Sequence, residues 1–215
     1  MFQCHASLGP ASPGAKNSAP YLYAADKELA LLPDYADQAQ LIAARQVLQG
    51  LPHTLARQAP GNWLAQDGDP VYLLQLANRL LLARFRRGAG SAGCGLTVFC
   101  ADAETVLLAQ IGALQGWRIR EGRLEPLGPG QLDAAAGSRL GEEEFLEPAL
   151  YSEPRRPGQR YLLLSANLAE ALEPDTLEGL LEDHGPDHAA ALAAMTRAAP
   201  LAGVQGPCGA YLLQV

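Results

Sequence analysis

Residues that could bind a metal ion are concentrated in one short stretch of the chain: Asp183, His184, Asp187 and His188. His184 and His188 have the i, i+4 spacing that places two ligands on one face of a helix. Gly185 and Pro186 lie between them, however, and proline interrupts the backbone hydrogen bonding that such a helix needs. We therefore expect solvated loop histidines here rather than a metal site.

Two aspartates in the first part of the chain could also take part in chemistry. Asp34 follows an apolar strand candidate, and Asp37 comes three residues later at the start of a predicted helix. An aspartate at a helix start accepts hydrogen bonds from the free N–H groups of the first turn. We therefore interpret Asp37 as a helix cap, with a metal-ligand role as the alternative.

The four cysteines are too few and too scattered to form a disulfide framework: Cys4, Cys94, Cys100 and Cys208. Cys94 and Cys100 flank one strand candidate, but neither has a histidine, lysine or arginine beside it in sequence that would lower its pKa. We expect both to be small core residues with reduced thiols.

The composition is that of a globular protein with an acidic balance. The 215 residues include 23 acids and 16 bases, which gives a net charge of −7, and 48% of the residues are hydrophobic. The negative charge argues against nucleic acid or an anionic membrane as the main partner. No apolar run approaches the roughly 20 residues of a membrane span, and no secretory signal is visible. We expect a cytoplasmic protein, and the excess of Leu over Ile (38 to 3) indicates a GC-rich, bacterial coding sequence.

Strands and helices follow one another in an order typical of a mixed α+β protein. Strands are predicted over residues 2–8, 19–24, 28–32, 96–101, 105–111, 116–120, 123–127, 160–165 and 210–215. A helix that begins at Asp34 or Asp37 should end before Pro52, and further helices are expected over residues 70–88 and 167–199. Because strands stand at both ends of the chain, residues 1–215 are predicted to form a single domain.

Residues 128–158 are rich in glycine, proline and glutamate and have little hydrophobic periodicity. We predict an irregular, flap-like excursion for this range. Within it, the Glu142–Glu144 run is expected to be a solvated loop or a first helical turn. Arg84, Arg86 and Arg87 lie at the end of the helix expected over residues 70–88 and should complement the negative charge of its C-terminus. Docking of a partner is the alternative for both charge groups.

The order of several segments resembles that of one known family. Residues 109–124, A-Q-I-G-A-L-Q-G-W-R-I-R-E-G-R-L, are similar to the A-x-V-G-D-S-R-x-Y-x-x-R-x-G-x-L run of the type 2C metal-dependent serine/threonine protein phosphatases, the PPM family. Residues 157–168, P-G-Q-R-Y-L-L-L-S-A-N-L, resemble its P-G-D-x-x-L-L-x-S-D-G-L strand. Residues 206–215 lie where the family has D-N-x-T before a last apolar strand. The chain thus looks like a degenerate member of this family.

The resemblance implies a fold and a chemistry. The fold is a four-layer α-β-β-α sandwich, in which two antiparallel sheets pack face to face and helices cover both outer faces. In the family, two divalent ions activate a bridging water, which attacks a bound phosphate. Such Mn²⁺ or Mg²⁺ ions prefer oxygen ligands, so carboxylates must stand at the metal positions.

At those metal positions the chain departs from the family's pattern. The aspartates of the N-E-D, G-D-S-R, S-D-G and D-N motifs correspond to Ala19, Ala113, Ala166 and Pro207. Asp34 still matches a ligand aspartate, but bulky Tyr35 replaces the glycine that follows it. One carboxylate cannot hold two ions. The degenerate cleft implied by the resemblance consists of Ala19, Asp34, Tyr35, Ala113, Ala166, Asn167, Pro207 and Cys208.

These departures predict a pseudophosphatase: a phosphatase-like protein without catalytic residues, metal or other cofactor, which acts as a regulatory or protein-binding module. Its partner is expected to be another protein, such as a kinase, a phosphoprotein or an assembly subunit. The alternative is a divergent metal-dependent phosphoprotein phosphatase that holds Mn²⁺ or Mg²⁺ on an altered ligand set. A phosphoryl-ligand sensor without hydrolysis is a third hypothesis, for which Lys16 is the best phosphate-binding candidate.

Overall fold

The computed structural model of the protein describes residues 2–9, 21–25, 28–58, 69–88, 92–128 and 137–215, without the side chains of residues 55–58. The strands are β1 (Gln3–Gly9), β2 (Leu22–Ala24), β3 (Leu29–Asp34), β4 (Gly95–Ala101), β5 (Thr105–Ile111), β6 (Gln115–Arg120), β7 (Arg123–Pro126), β8 (Ala149–Pro154), β9 (Arg160–Leu164) and β10 (Cys208–Gln214). The helices are α1 (Gln38–Gln58), α2 (Pro70–Phe85), α3 (Ala166–Ala171), α4 (Pro174–His184) and α5 (His188–Ala198).

The strands form two antiparallel sheets of five strands each. The first sheet has the order β1-β10-β9-β6-β7, and the second has the order β2-β3-β4-β5-β8. In the first sheet, β10 lies between β1 and β9, with Tyr211 opposite Ala6 and Leu163. In the second, Asp34 at the end of β3 is opposite Gly95 at the start of β4.

The alternation of side chains along the strands separates two hydrophobic cores. Tyr161 and Tyr211 point between the sheets, whereas their neighbours Leu162 and Leu212 point toward helices α3, α4 and α5. Between the sheets, Phe99 of the second sheet contacts the ring of Tyr161 of the first with ring centroids 5.2 Å apart. Burial of these aromatic faces holds the sheets together.

Helices cover the outer face of each sheet, as the sandwich prediction requires. Helices α1 and α2 pack on the second sheet, while α3, α4 and α5 pack on the first. The four-layer α-β-β-α arrangement is therefore confirmed. No helix of the described residues has the length and apolar character needed to cross a membrane.

Helix α1 corrects the prediction that it would end before Pro52. Asp37 caps its start by accepting the N–H of Gln40 at 2.8 Å, but the helix then continues through Gly50 and Pro52 to Gln58. Pro52 removes one backbone hydrogen bond from the helix. Tertiary packing stabilises the longer helix despite this loss, because Leu51 is fully buried.

Strand β8 corrects part of the irregular excursion predicted for residues 128–158. Residues Ala149–Pro154 pair with β5 and form the edge of the second sheet. Glu153 of this strand binds Arg118 of β6 across the two sheets at 2.6 Å and accepts the hydroxyl of Tyr161 at 2.7 Å. The rest of the excursion has no strand or helix among its described residues 128, 137–148 and 155–158, apart from the single bridge of Leu140 to Cys94.

Candidate functional site

Asp34 is the carboxylate on which a metal site would depend, and it is enclosed by the protein. Asp34 lies at the end of β3 and is only 5% exposed. Oδ2 accepts the backbone N–H of Ala113, in the turn between β5 and β6, at 3.0 Å. One carboxylate oxygen is thus already committed to the protein backbone.

The charge state of Asp34 depends on two opposing effects. Burial raises the pKa of this carboxyl, because a charge in the interior loses its hydration. The N–H of Ala113 lowers the pKa, followed by the N–H of Ala166, the charge of Arg139 and the N–H of Tyr35. Burial is the larger effect, so the interior favours the neutral carboxyl more than water does.

Two glycines allow the backbone to approach Asp34 this closely. A Cβ on Gly95 would lie 2.7 Å from the Asp34 Cβ. Gly112 has φ +107°, and a Cβ there would lie 2.7 Å from the Gly95 Cα and 3.3 Å from Asp34 Oδ2. Only glycine fits these positions without moving the backbone, so the space around the carboxylate is filled by main chain.

Tyr35 turns its side chain into the core between the sheets, where it is fully buried. Its hydroxyl lies beside that of Tyr211 and interacts with it, although no described residue meets it in regular hydrogen-bond geometry. The hydroxyl of Tyr211, in contrast, donates to the carbonyl of Pro33 at 2.8 Å. The hydroxyl oxygens of Tyr35 and Tyr211 lie 3.0 and 2.8 Å, respectively, from the position that a Cβ on Gly209 would occupy. The bulk introduced by Tyr35 is therefore accommodated by a glycine on β10.

Hydrogen bonds join the start of α3 to the start of β10 and to Pro207 directly before it. The Ser165 hydroxyl accepts the N–H of Gly209 at 2.9 Å and lies 2.7 Å from Asn167 Oδ1. Asn167 Nδ2 donates to the carbonyl of Pro207 at 3.1 Å. The polar side chains left in this region are thus bonded to one another and to backbone.

The residues that sequence analysis assigned to a degenerate cleft fall into two contacting groups. Ala113 and Ala166 direct their N–H groups at Asp34, and Asn167 is bonded to the carbonyl of Pro207, which precedes Cys208. The Tyr35 hydroxyl oxygen lies 3.0 Å from the Cβ position of Gly209, the residue after Cys208, and this contact connects the two groups. Ala19 and Lys16 lie outside the described residues. The phosphate-binding candidate is therefore without a structural description.

The described residues around Asp34 do not fit a dinuclear metal centre. Ala113, Ala166 and Pro207 offer no side-chain donor, and Asp34 is buried with Oδ2 already accepting a hydrogen bond. Elsewhere, His188 contacts His5 edge to face, with ring centroids 5.6 Å apart. His184 ends α4, and Gly185, with φ +53°, separates α4 from α5. Within the described ranges, no three His, Cys, Asp or Glu side chains are grouped so that they could hold a metal ion.

Sequence analysis missed the residues that enclose Asp34 and those that join its neighbours. Gly95 and Gly112 had a usable signal, since glycine beside a buried carboxylate indicates close backbone approach. Ser165 and Gly209 had none, because their contact depends on the pairing of β9 with β10.

The whole fold is similar to solved structures, although no protein-family model matches the chain and no curated protein matches it in sequence. PppA, described as a key regulatory component of T6SS in Pseudomonas aeruginosa, is 18% identical with a TM-score of 0.71, over 100% of this chain and 98% of that chain. The PPM Ser-Thr phosphatase MsPP from Mycobacterium smegmatis is also 18% identical, with a TM-score of 0.72 and the same coverage.

A third similar structure contains metal. It is the catalytic domain of the serine threonine protein phosphatase PstP in complex with two manganese ions, 21% identical with a TM-score of 0.69, over 100% of this chain and 97% of that chain. The two sheets and the flanking helix layers described above are those of this structural group. The chain therefore has the fold of the type 2C, or PPM, serine/threonine phosphatases.

Proposed function

We propose that this protein is a pseudophosphatase, which keeps the PPM fold but does not hydrolyse phosphate esters and acts by binding another protein. The observation that carries the proposal is the hydrogen bond from the Ala113 N–H to Oδ2 of buried Asp34. A metal-ligating carboxylate must also face the space that the ion occupies, whereas Asp34 is 5% exposed and surrounded by the backbone of Gly95 and Gly112. Asp34 instead serves as an acceptor for the turn after β5.

The chemistry of the neighbouring positions supports the same proposal. Two-metal hydrolysis needs several carboxylates to balance the charge of the ions. Alanine at 113 and 166 and proline at 207 supply neither charge nor oxygen ligands from their side chains. The fold-forming apolar residues around them are retained and buried, including Leu163 and Leu213. A scaffold kept without its ligand set is typical of a protein whose role lies in binding.

A regulatory role is favoured by one of the similar structures. PppA is described as a regulatory component, so the same fold has a place in regulation. We extend this to the present chain as a binding module whose partner is a protein, of the kind of a kinase, a phosphoprotein or an assembly subunit. A cytoplasmic location in a bacterium is part of the proposal.

Hydrolysis in excess Mn²⁺ tests the loss of activity. The purified protein is assayed with p-nitrophenyl phosphate and with a phosphothreonine peptide, beside an active PPM phosphatase as the positive control. We expect no turnover above the rate without protein, and no heat of Mn²⁺ binding in calorimetry.

Asp34→Asn is the matched control, because it keeps the size of the side chain and one oxygen acceptor. Turnover by the wild type that disappears in this variant, with folding intact by circular dichroism, would overturn the proposal and favour a divergent phosphatase on an altered ligand set. Turnover that is equal in both proteins would point to a contaminating enzyme or to a site without Asp34, and repurification to constant specific activity separates these two cases.

A further inference from the structure

Strand β7 is an edge strand of the first sheet whose outer edge is closed. An edge strand directs every second peptide group away from its neighbour. The N–H of Leu127 donates to the carbonyl of Gly116 at 2.9 Å, so Leu124 and Pro126 hold the outward positions of β7. The Leu124 N–H donates to Glu178 of α4 at 2.8 Å, and proline has no N–H. Residues 123–126 therefore offer no free donor to a further strand.

Strand β8, the edge strand of the second sheet, is open along its outer edge. The N–H of Arg155 donates to the carbonyl of Glu104 at 2.7 Å, in register with the β5–β8 ladder. Because hydrogen-bonded positions alternate in an antiparallel pair, Leu150 and Ser152 direct their N–H and C=O groups away from β5. No described residue bonds to these four groups. Leu150 is 50% exposed, and Ser152 is exposed as well.

This open edge is short and is held in place by the rest of the fold. Pro148 and Pro154 occupy the next outward positions and have no N–H, which confines strand pairing to the residues between them. Glu153 anchors β8 to the first sheet, since it binds Arg118 at 2.6 Å and accepts the hydroxyl of Tyr161 at 2.7 Å. An added strand would meet a preformed template, so little freedom is lost in β8 on binding.

The peptide groups of β8 are complementary to those of β8 itself. In an antiparallel second copy, with a two-fold axis at Tyr151, Leu150 of each copy lies opposite Ser152 of the other. Each copy then donates two N–H groups and accepts two, so the outward peptide groups of both residues are all paired. Glu153 lies opposite Ala149 in this register, so the strand places no like charges opposite each other.

The side chains of β8 also match in this two-fold register. The two Leu150 side chains lie diagonally across the axis on one face of the joined sheet, which covers apolar surface that is half exposed in the single chain. The two Tyr151 side chains form a cross-strand aromatic pair on the other face. A second copy brings both features by symmetry, whereas an unrelated extended segment would have to supply them separately.

We propose that this protein forms a two-fold symmetric dimer, in which β8 pairs antiparallel with β8 of a second copy and the two second sheets become one continuous sheet. The inference goes beyond the proposed function and does not rest on it, because strand pairing makes no use of Asp34 or its neighbours. The net charge of −7 on each copy opposes association. The dimer should therefore be weak and should strengthen as salt screens the repulsion.

Sedimentation equilibrium of the purified full-length chain at high salt measures the Kd of the dimer. Ser152→Pro removes an outward N–H and places a ring at the edge, but it removes no hydrogen bond from the β5–β8 ladder. Ser152→Ala is the matched control, since it retains the N–H. We expect Ser152→Pro to raise the Kd by about tenfold or more and Ser152→Ala to leave it within about twofold of the wild type.

Cysteine cross-linking tests the register. The two copies of Tyr151 form a non-hydrogen-bonded pair with Cα atoms about 4.5 Å apart, a separation that a disulfide can span. Tyr151→Cys should therefore give a disulfide-linked dimer in a glutathione redox buffer, whereas Ser152→Cys, which lies off the axis, should give little. The wild type provides the background, because its four cysteines are buried or half-buried.

A wild type that remains monomeric at every concentration reached would overturn the proposal. A dimer whose Kd is unchanged by Ser152→Pro, or raised equally by Ser152→Pro and Ser152→Ala, would also overturn it. If circular dichroism shows that Ser152→Pro does not fold, the cross-linking decides. Cross-linking of Ser152→Cys as strong as that of Tyr151→Cys, or none above background in either variant, would then overturn the proposal.

Discussion

The backbone N–H of Ala113 donates to Oδ2 of Asp34 at 3.0 Å, across 79 residues of sequence. This hydrogen bond joins the end of β3 to the turn between β5 and β6. The aspartate that matches a metal ligand in the sequence resemblance has thus become part of the internal bonding of the fold. Its remaining role can be tested by stability.

Asp34→Ala should destabilise the protein more than Asp34→Asn. Alanine leaves the buried N–H of Ala113 without an acceptor, which costs about 1–3 kcal/mol of unfolding free energy, whereas asparagine keeps an oxygen there. Urea unfolding measures both differences. If alanine instead stabilises the protein, as removal of a strained functional carboxylate often does, then Asp34 retains a functional role.

Gly112→Ala should cost considerably more than Gly122→Ala. Both glycines have positive φ, +107° and +82°, but a Cβ on Gly112 meets the Gly95 Cα at 2.7 Å while a Cβ on Gly122 meets nothing within 4 Å. We expect Gly122→Ala to lower the free energy of unfolding by about 1 kcal/mol, from backbone strain alone. Gly112→Ala should lower it by about 3 kcal/mol, because a steric clash adds to the strain. Equal losses in urea unfolding would show that the backbone around Asp34 yields easily.

Removing the Tyr35 hydroxyl should cost little stability, in contrast to removing that of Tyr211. The Tyr211 hydroxyl donates to Pro33 at 2.8 Å, so Tyr211→Phe should lose about 1–2 kcal/mol. The Tyr35 hydroxyl is buried beside that of Tyr211 but does not meet it in regular hydrogen-bond geometry, so Tyr35→Phe should lose only about 0.5 kcal/mol, less than Tyr211→Phe. A loss in Tyr35→Phe as large as that in Tyr211→Phe would show that the two hydroxyls form a full hydrogen bond.

Acid should destabilise the protein through His188. Burial lowers its pKa from 6.5, followed in size by the charges of Arg160 and His5, while Gln214 and Asp187 oppose the shift. The unfolded chain therefore takes up a proton more readily, so the stability that His188 contributes is present above pH 6.5 and declines as the pH falls below it. When the pH is lowered from 7 to 5, the melting temperature of His188→Gln should fall less than that of the wild type. Parallel curves for both proteins would contradict this assignment.

Most strands could be predicted from sequence, because their side chains are clearly apolar, as in the buried run of β9. Strand β8 could not, since it is an edge strand with alternating exposure, with Pro148 directly before it and Pro154 as its last residue. Such residues lack the apolar run that identifies a buried strand. Its place in the sheet depends on its partner β5, which is distant in sequence.

The candidate site was predictable in its residue types but not in its contacts. The loss of carboxylates at 113, 166 and 207 is visible in the sequence once it is compared with the family's motifs. The enclosure of Asp34 is not visible, because the groups around it come from β4, from the turn after β5 and from α3. Only the folded chain brings these segments together.

The enclosure of Asp34 also determines how this end of the sandwich should move. Regions that admit ligands are usually drawn from the parts of a protein that open most easily. Here the amide of Ala113 is bonded to an interior carboxylate, and the amide of Gly209 is bonded to the buried hydroxyl of Ser165. Both amides should exchange their hydrogens with solvent as slowly as those in the centre of the sheets. In a metal enzyme this end of the fold opens to substrate. Here it would be among the most rigid parts of the protein.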